Sequence, residues 1–240
     1  IQDTLPLLDE SGHLFLESPY KIAEGADGNG HSLLSFAKAG ILSRWLSLGI
    51  EFLHVVLVDN PLADPFDPEL LGFHSIQECE ITLKCTEKTQ PEEKVGVLVK
   101  QESKCCVIEY SEMCSEEKKR KRCDGRLKHC CANLSLFCIS LQFIQRMVND
   151  SKTLPLHKAW KAATMINKEG ISSPLQPNAW KFETFIFDWL TYADSVKALI
   201  YPRNQCFAPL KNALGADSPA TVREALQRED KRVIEAITGL

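Results

Sequence analysis

An α/β fold on a parallel or mixed sheet is the class the sequence predicts, and three observations predict it. A glycine-rich turn inside AEGADGNGHSLLSF, Ala23 to Phe36, leads into a helical apolar pattern, a short apolar run FLHVVLVD follows, and β-forming and helical segments then alternate along the chain. Leu34, Ala37, Ile41, Trp45 and Leu48 recur at three- and four-residue steps, which marks one buried helix face closed by Gly49 as a C-cap. Phe52 to Asp59 is valine-rich and lacks polar alternation, so it reads as a strand buried on both faces. Glycine turn, helix and buried strand together read as part of a βαβ unit.

The later elements follow the same logic. ECEITLKCTEK predicts a strand, and KVGVLVKQESKCCVIEYSEM predicts a hairpin turning at KQESK, which makes this part more antiparallel. SEEKKRKRCDGR is too densely charged to be buried and reads as a solvated loop rather than a localisation signal. CANLSLFCISLQFIQRMV runs from strand into helix, and AWKFETFIFDWLTYADSV carries core aromatics. VKALIYPR is a short strand, and SPATVREALQRED is a helix with Ser218 at the N-cap and Pro219 at its first position. No repeat or low-complexity linker divides the chain, so one domain is expected over residues 1–240.

Composition narrows the function classes. With 240 residues, 44% hydrophobic and 25% charged, the chain has the material for a proper core. A net charge of -4 and a pI near 5.9 give no global attraction to nucleic acid or anionic membrane, so an anionic ligand must be bound locally. Glu51 and His54 interrupt the best apolar run, well short of the roughly 20 residues a span needs. The chain starts at Ile1 without a signal-peptide pattern, and is expected to begin inside a longer reading frame. Ten cysteines without a C-x-x-C spacing predict reduced, mostly buried thiols in a cytoplasmic protein. The sequons at Asn133 and Asn149 are then accidental.

Three places can carry chemistry. The turn around Gly28 and Gly30 lets backbone N–H groups approach a ligand, and Asp27 and Asn29 tolerate unusual angles there; a tight connection explains the glycines equally well. It matches neither the dinucleotide fingerprint nor a P-loop. Asp59, followed by Asn60, ends the apolar strand, where ligands of open α/β sheets gather and a carboxylate can hold Mg²⁺ alongside substrate phosphates. Capping the turn NPLADP is the alternative reading of Asp59. Lys211 in FAPLKNA follows a strand and a proline turn, placed either to meet a phosphate or simply to be solvated.

The ordered series IQDTLP, ADGNG, VVLVDNPLADP with GF after it, EKTQPEEKVGVLV, VIEYSE, DGRL, FIFD and PLKNA resembles the UDP-N-acetylhexosamine (UDP-N-acetylglucosamine) pyrophosphorylase family, from Ile1 to about Arg223. The resemblance implies a Rossmann-like, GT-A-like mixed sheet flanked by helices. It also implies uridylyl transfer with Mg²⁺ or Mn²⁺: UTP and N-acetylglucosamine 1-phosphate give UDP-N-acetylglucosamine and pyrophosphate. Carried over motif by motif, Gln2, Gly28 and Asn29 would meet the uracil and Asp59 the metal. Gly96, Glu109 and Asn133 would contact the sugar, Phe185 and Phe187 would wall its N-acetyl group, and Lys211 would engage phosphate. Neither nucleic acid nor membrane is an implied partner.

The departures are specific. The family's N-terminal glycine-rich triphosphate loop and its C-terminal domain have no counterpart in the 240 residues, so these residues alone are expected to turn over poorly. His31 stands where the family's GNGG has its last glycine, and Ala132 where a glycine precedes the sugar-binding asparagine. A homologue that binds uridine nucleotide or sugar without catalysis, and a UDP-glucose or UDP-sugar pyrophosphorylase, remain open as alternatives.

Overall fold

The computed structural model describes residues 2–167 and 170–239; Ile1, the first residue of the IQDTLP motif, lies outside them. Contacts divide the chain into two compact units, Ile1–Arg44 with Gln145–Trp189 and Trp45–Ile144 with Leu190–Leu240.

The second unit is organised by a six-stranded mixed sheet. Val196–Tyr201 pairs parallel with Ile81–Glu87, and the ten-residue strand Cys131–Ser140 runs antiparallel to Ile81–Glu87. Along its other edge Cys131–Ser140 meets Phe52–Val55 through residues 137–140 and Val97 through Ala132. Val97–Gln101 and Lys104–Ile108 form the expected hairpin, turning at Glu102 with φ 53°. Phe52–Val55, Ile81–Glu87 and Val196–Tyr201 therefore point the same way, and the chain leaving them arrives at one edge.

Two expectations are corrected here. Only Phe52–Val55 of FLHVVLVD is strand; each of its residues is half-buried and its single partner is antiparallel. The chain turns out of the sheet at once, with Asn60 N–H donating to the carbonyl of Leu57 at 3.1 Å. The helix before it is two short helices, Ser32–Lys38 and Ile41–Ser47, because Gly40 at φ 76° breaks the register. Leu33 and Leu42 are the buried residues, while Ile41 and Leu48 of the expected stripe are exposed. Gly49 does end the second helix: its N–H bonds to Leu46 and that of Ile50 to Trp45, the paired bonds of a Schellman motif.

Helix Pro68–Ile76 starts where Asp67 accepts the N–H groups of Glu69 and Leu70. The buried Lys84 ammonium also donates to that carboxylate. Burial alone would push the Asp67 carboxyl up, and these donors outweigh it and hold it below its ordinary value. His74 on this helix is fully buried, bonded to Thr82 Oγ1 at 2.8 Å and edge-on to Phe52; burial pushes it down to about 4. The last helix, Pro219–Thr238, opens on a capping box between Ser218 and Thr221, as the SP pair predicts.

The first unit is built of two-stranded antiparallel pairs: Thr4–Pro6 with Glu24–Ala26, Leu16–Ser18 with Lys21–Ile22, His157–Lys161 with Ala179–Glu183, and Met165–Asn167 with Gly170–Ser172. Leu7, Phe15, Ala23 and Ala179 form one of its buried clusters, and a fully buried leucine or phenylalanine is worth about 1.5–3 kcal/mol.

Among the described residues all ten cysteines are free, but only Cys79, Cys85, Cys138 and Cys206 are buried, fewer than expected. The charged segment SEEKKRKRCDGR is solvated as expected, except that Ser115–Lys119 makes a short helix. No helix of the described residues is long and apolar enough to cross a membrane.

Candidate functional site

In the first unit Gln2, Gly28 and Asn29 line one pocket of about 370 Å³, together with Asp3, Asp27, His31, Ser32 and Ser35. The glycines are explained by the chain beside them. Thr184 N–H donates to the Asp27 carbonyl at 2.8 Å, and Gly30 N–H to the Thr184 carbonyl at 3.0 Å. A Cβ on Gly28, at φ 88°, would lie 2.1 Å from the Thr184 carbonyl oxygen, and one on Gly30 would lie 2.6 Å from Thr184 Oγ1. Gly28 is packed against the Thr184 backbone, and Gly30 against the side chains of Thr184 and Leu154. Gln2 Nε2 donates to the Gly28 carbonyl at 2.5 Å, and Asn29 Oδ1 accepts from Ile186 N–H at 2.9 Å, so the Asn29 amide ties the turn to the next segment.

Phe185 and Phe187 also lie in this unit, stacked at 4.9 Å between ring centroids. His157 packs against both and shares a 3.0 Å contact with Asp188 Oδ2, which also accepts from Phe185 N–H. The motif FIFD named the rings; nothing in the sequence pointed to His157.

In the second unit Gly96, Glu109, Asn133 and Lys211 line a pocket of about 270 Å³. It opens at the edge where Phe52–Val55 and the parallel pair end, the place where open α/β sheets bind ligands. Asn133 is placed by a bulge: Lys84 pairs with Leu136 but Cys85 with Asn133, leaving Leu134 and Ser135 as extra residues, with Ser135 at φ 54°. The Asn133 carbonyl oxygen Oδ1 accepts from Ser135 N–H at 3.0 Å, while Asn133 N–H donates to the Gly96 carbonyl at 2.9 Å. Glu109 Oε1 sits 2.6 Å from where a Gly96 Cβ would be, so glycine is required for this carboxylate to lie over the strand. Ala132 is fully buried between Thr86 and Val97 and does not line the pocket; its methyl is absorbed by the sheet.

Asp59 and Lys211 are brought together through backbone. Leu210 N–H donates to the Asp59 carbonyl at 2.7 Å. The buried Asn60 donates to the Cys206 carbonyl and accepts from Ala208 N–H, both at 2.9 Å. Asn60 thus pins the loop that carries Lys211, a role the sequence reading did not give it. Sequence reasoning also missed Arg203 and Glu93, which pair at 2.6 Å beside Phe207 on the pocket wall. Their signal was position: Arg203 follows directly on a strand of the parallel pair.

The fit to a divalent cation is of a limited kind. The described residues contain no cluster of three or more metal-ligating side chains. The half-buried Asp59 carboxylate has no hydrogen bond or ion pair among the described residues, so it is free to contribute oxygens while substrate phosphates complete a coordination shell.

A mixed α/β sheet with a polar pocket at the carboxyl edge of its parallel strands is the arrangement in which open α/β folds bind their ligands. Residues 1–217 match the family described as UTP--glucose-1-phosphate uridylyltransferase, and the chain belongs to that family. It is 35% identical over 235 residues to the human UDP-N-acetylhexosamine pyrophosphorylase-like protein 1, covering 96% of this chain and 46% of that protein. A probable UDP-N-acetylglucosamine pyrophosphorylase of Schizosaccharomyces pombe is 35% identical over 220 residues, 88% of this chain and 46% of its own length. Among solved structures, a putative UDP-N-acetylglucosamine pyrophosphorylase from Entamoeba histolytica superposes with a TM-score of 0.84 at 30% identity, covering 95% of this chain and 57% of that one. The chain thus spans about half the length of the relatives it matches.

Proposed function

We propose that this chain forms the substrate-binding part of a cytoplasmic uridylyltransferase that makes UDP-N-acetylglucosamine and pyrophosphate from UTP and N-acetylglucosamine 1-phosphate. The observation that carries the reading is the convergence of Gly96, Glu109, Asn133 and Lys211, from four separate segments, on one pocket.

Gln2, Gly28 and Asn29 bind the uracil. Asn133 and Glu109 hydrogen-bond sugar hydroxyls, the carboxylate accepting two donors in one plane. Phe185 and Phe187 wall the N-acetyl group. A phosphate oxygen of the sugar phosphate attacks the α-phosphorus of UTP; a new P–O bond forms, the α–β bridging bond breaks, and pyrophosphate leaves with that oxygen. Lys211 neutralises phosphate charge as this happens, and Asp59 would hold a Mg²⁺ or Mn²⁺ ion, which would supply further charge neutralisation. No covalent enzyme intermediate is needed, in keeping with catalysis by positioning and charge.

The test is pyrophosphate release by a full-length protein that carries this chain, with UTP, Mg²⁺ and either N-acetylglucosamine 1-phosphate or glucose 1-phosphate, beside Asp59→Ala. Release that favours the N-acetylated sugar and is abolished in the variant is expected. UTP binding without release from either sugar would defeat the catalytic reading, and a preference for glucose 1-phosphate would reassign the substrate.

A further inference from the structure

We propose that Lys94, Lys118 and Lys119 form a second anion site in the second unit, holding a small phosphate-bearing ligand beside the pocket of Asn133 and Lys211. The three line a cavity of about 370 Å³ together with Tyr110 and Ser115. That volume suits a small molecule rather than the flat footprint of a macromolecule. Lys94 comes from the loop before Val97–Gln101, whereas Lys118 and Lys119 begin the KKRKR run at the end of helix Ser115–Lys119. Two separate segments therefore bring the ammonium groups to one concave surface. Lys94 also borders the pocket of Gly96 and Glu109, which makes the two cavities neighbours. Uridylyl transfer gives the basic run no part, and the site does not depend on that reading.

The surroundings leave these charges unmatched. None of the three makes a side-chain hydrogen bond or ion pair among the described residues. Two neighbouring carboxylates are committed elsewhere: Glu117 accepts from Arg120 at 2.6 Å and contacts His129 at 2.9 Å, and Glu93 accepts from Arg203 at 2.6 Å. Glu92 is the one carboxylate lining the cavity; Glu116, on the same short helix, is outside its lining. A fourth lysine supplies an independent observation. Lys88 is 3% exposed, and its ammonium donates to the Glu93 carbonyl at 2.9 Å with no carboxylate partner among the described residues. Burial first, and then the nearby charge of Lys118, hold Lys88 below its ordinary value although Glu93 and Glu92 oppose them. Positive charge is thus crowded at this place in a chain whose net charge is -4. Ammonium groups with three donors each, and the hydroxyls of Tyr110 and Ser115, suit a ligand with several acceptor oxygens. A phosphate group offers three and carries a charge of about -1.5 to -2 near neutral pH.

The experiment is site-resolved lysine acetylation. A full-length protein that carries this chain is treated briefly with an acetyl N-hydroxysuccinimide ester, in sodium phosphate or in sodium chloride of equal ionic strength, and the rate at each lysine is read by mass spectrometry. Phosphate is expected to slow Lys94, Lys118 and Lys119 together, by about tenfold at roughly nine times one shared half-saturating concentration, as mass action requires of a blocked site. Lys121, in the same basic run but outside the cavity lining, reacts as fast as in chloride. In Lys118→Gln/Lys119→Gln the protection of Lys94 disappears. Rates equal in phosphate and chloride overturn the inference, and so does equal slowing of Lys121, which would reduce the site to diffuse attraction by the basic run. Protection of Lys94 that survives in the double variant overturns it as well, because that lysine would then belong to the neighbouring pocket.

Discussion

Replacing Gly28 with alanine tests why the turn is built of glycine. The new Cβ would sit 2.1 Å from the Thr184 carbonyl oxygen and 2.8 Å from its nitrogen, distances no real Cβ tolerates, and both obstacles are backbone. Relief requires the Thr184 segment to withdraw, which weakens the Thr184-to-Asp27 and Gly30-to-Thr184 hydrogen bonds. Each is worth about 1 kcal/mol net. The left-handed φ of 88° adds about 1–2 kcal/mol for a residue with a Cβ. Altogether Gly28→Ala is expected to cost about 3–4 kcal/mol, a large fraction of a typical domain's stability. Gly12 is the control: its φ is 84°, but a Cβ there meets nothing within 4 Å, so Gly12→Ala carries only the strain, about 1–2 kcal/mol. Urea unfolding of the two variants measures the difference. Equal destabilisation would refute the argument that backbone contact, rather than torsion, dictates the glycine.

The buried pair is asymmetric: Lys84→Met leaves the Asp67 carboxylate buried with two backbone donors alone, and a loss of about 3–5 kcal/mol is expected in the same assay, whereas a loss below 1 kcal/mol would show the pair is well solvated. His74 makes stability depend on pH. Its folded value of about 4 lies below the ordinary histidine value, so between these limits the unfolded chain binds the extra proton and stability falls as pH drops, by up to about 3 kcal/mol; at pH above the ordinary value the penalty is absent. His74→Gln should flatten the decline, and unfolding curves with an unchanged pH slope would exclude His74 as its source. Asn60→Ala removes both bonds to the loop 206–208 and is expected to lower kcat more than it raises KM, since Lys211 loses its placement; an unchanged kcat would show that the loop is held elsewhere. Gly96→Ala should raise KM for the sugar phosphate while UTP affinity stays constant, because the methyl would displace Glu109.

Local signals in the chain carried much of the architecture. Ser218 and Pro219 predict a helix start because a hydroxyl cap and a fixed φ act within one turn, and Gly49 predicts a helix end for the same local reason. The hairpin around Glu102 and the strand-to-helix run from Cys131 to Val148 were legible from clustered β-formers and an apolar run. The motifs also named residues that the fold then gathers: Gln2 with Gly28 and Asn29, and Gly96 with Glu109, Asn133 and Lys211.

Pairing was not legible. The valine-rich run FLHVVLVD looks like a central strand, but which strand neighbours it depends on residues some eighty positions away, and it pairs only with Cys131–Ser140. The bulge that turns Asn133 toward Gly96 has no sequence signature, since it arises from the mismatch between two strands rather than from either alone. The same holds for Gly28, where freedom of φ is written in the residue type but the reason for it, a carbonyl of Thr184 against its Cα, belongs to a segment far along the chain. Local torsional preferences and capping act over a few bonds and survive in sequence; strand partners, bulges and close backbone contacts are set by long-range packing, which only the folded chain decides.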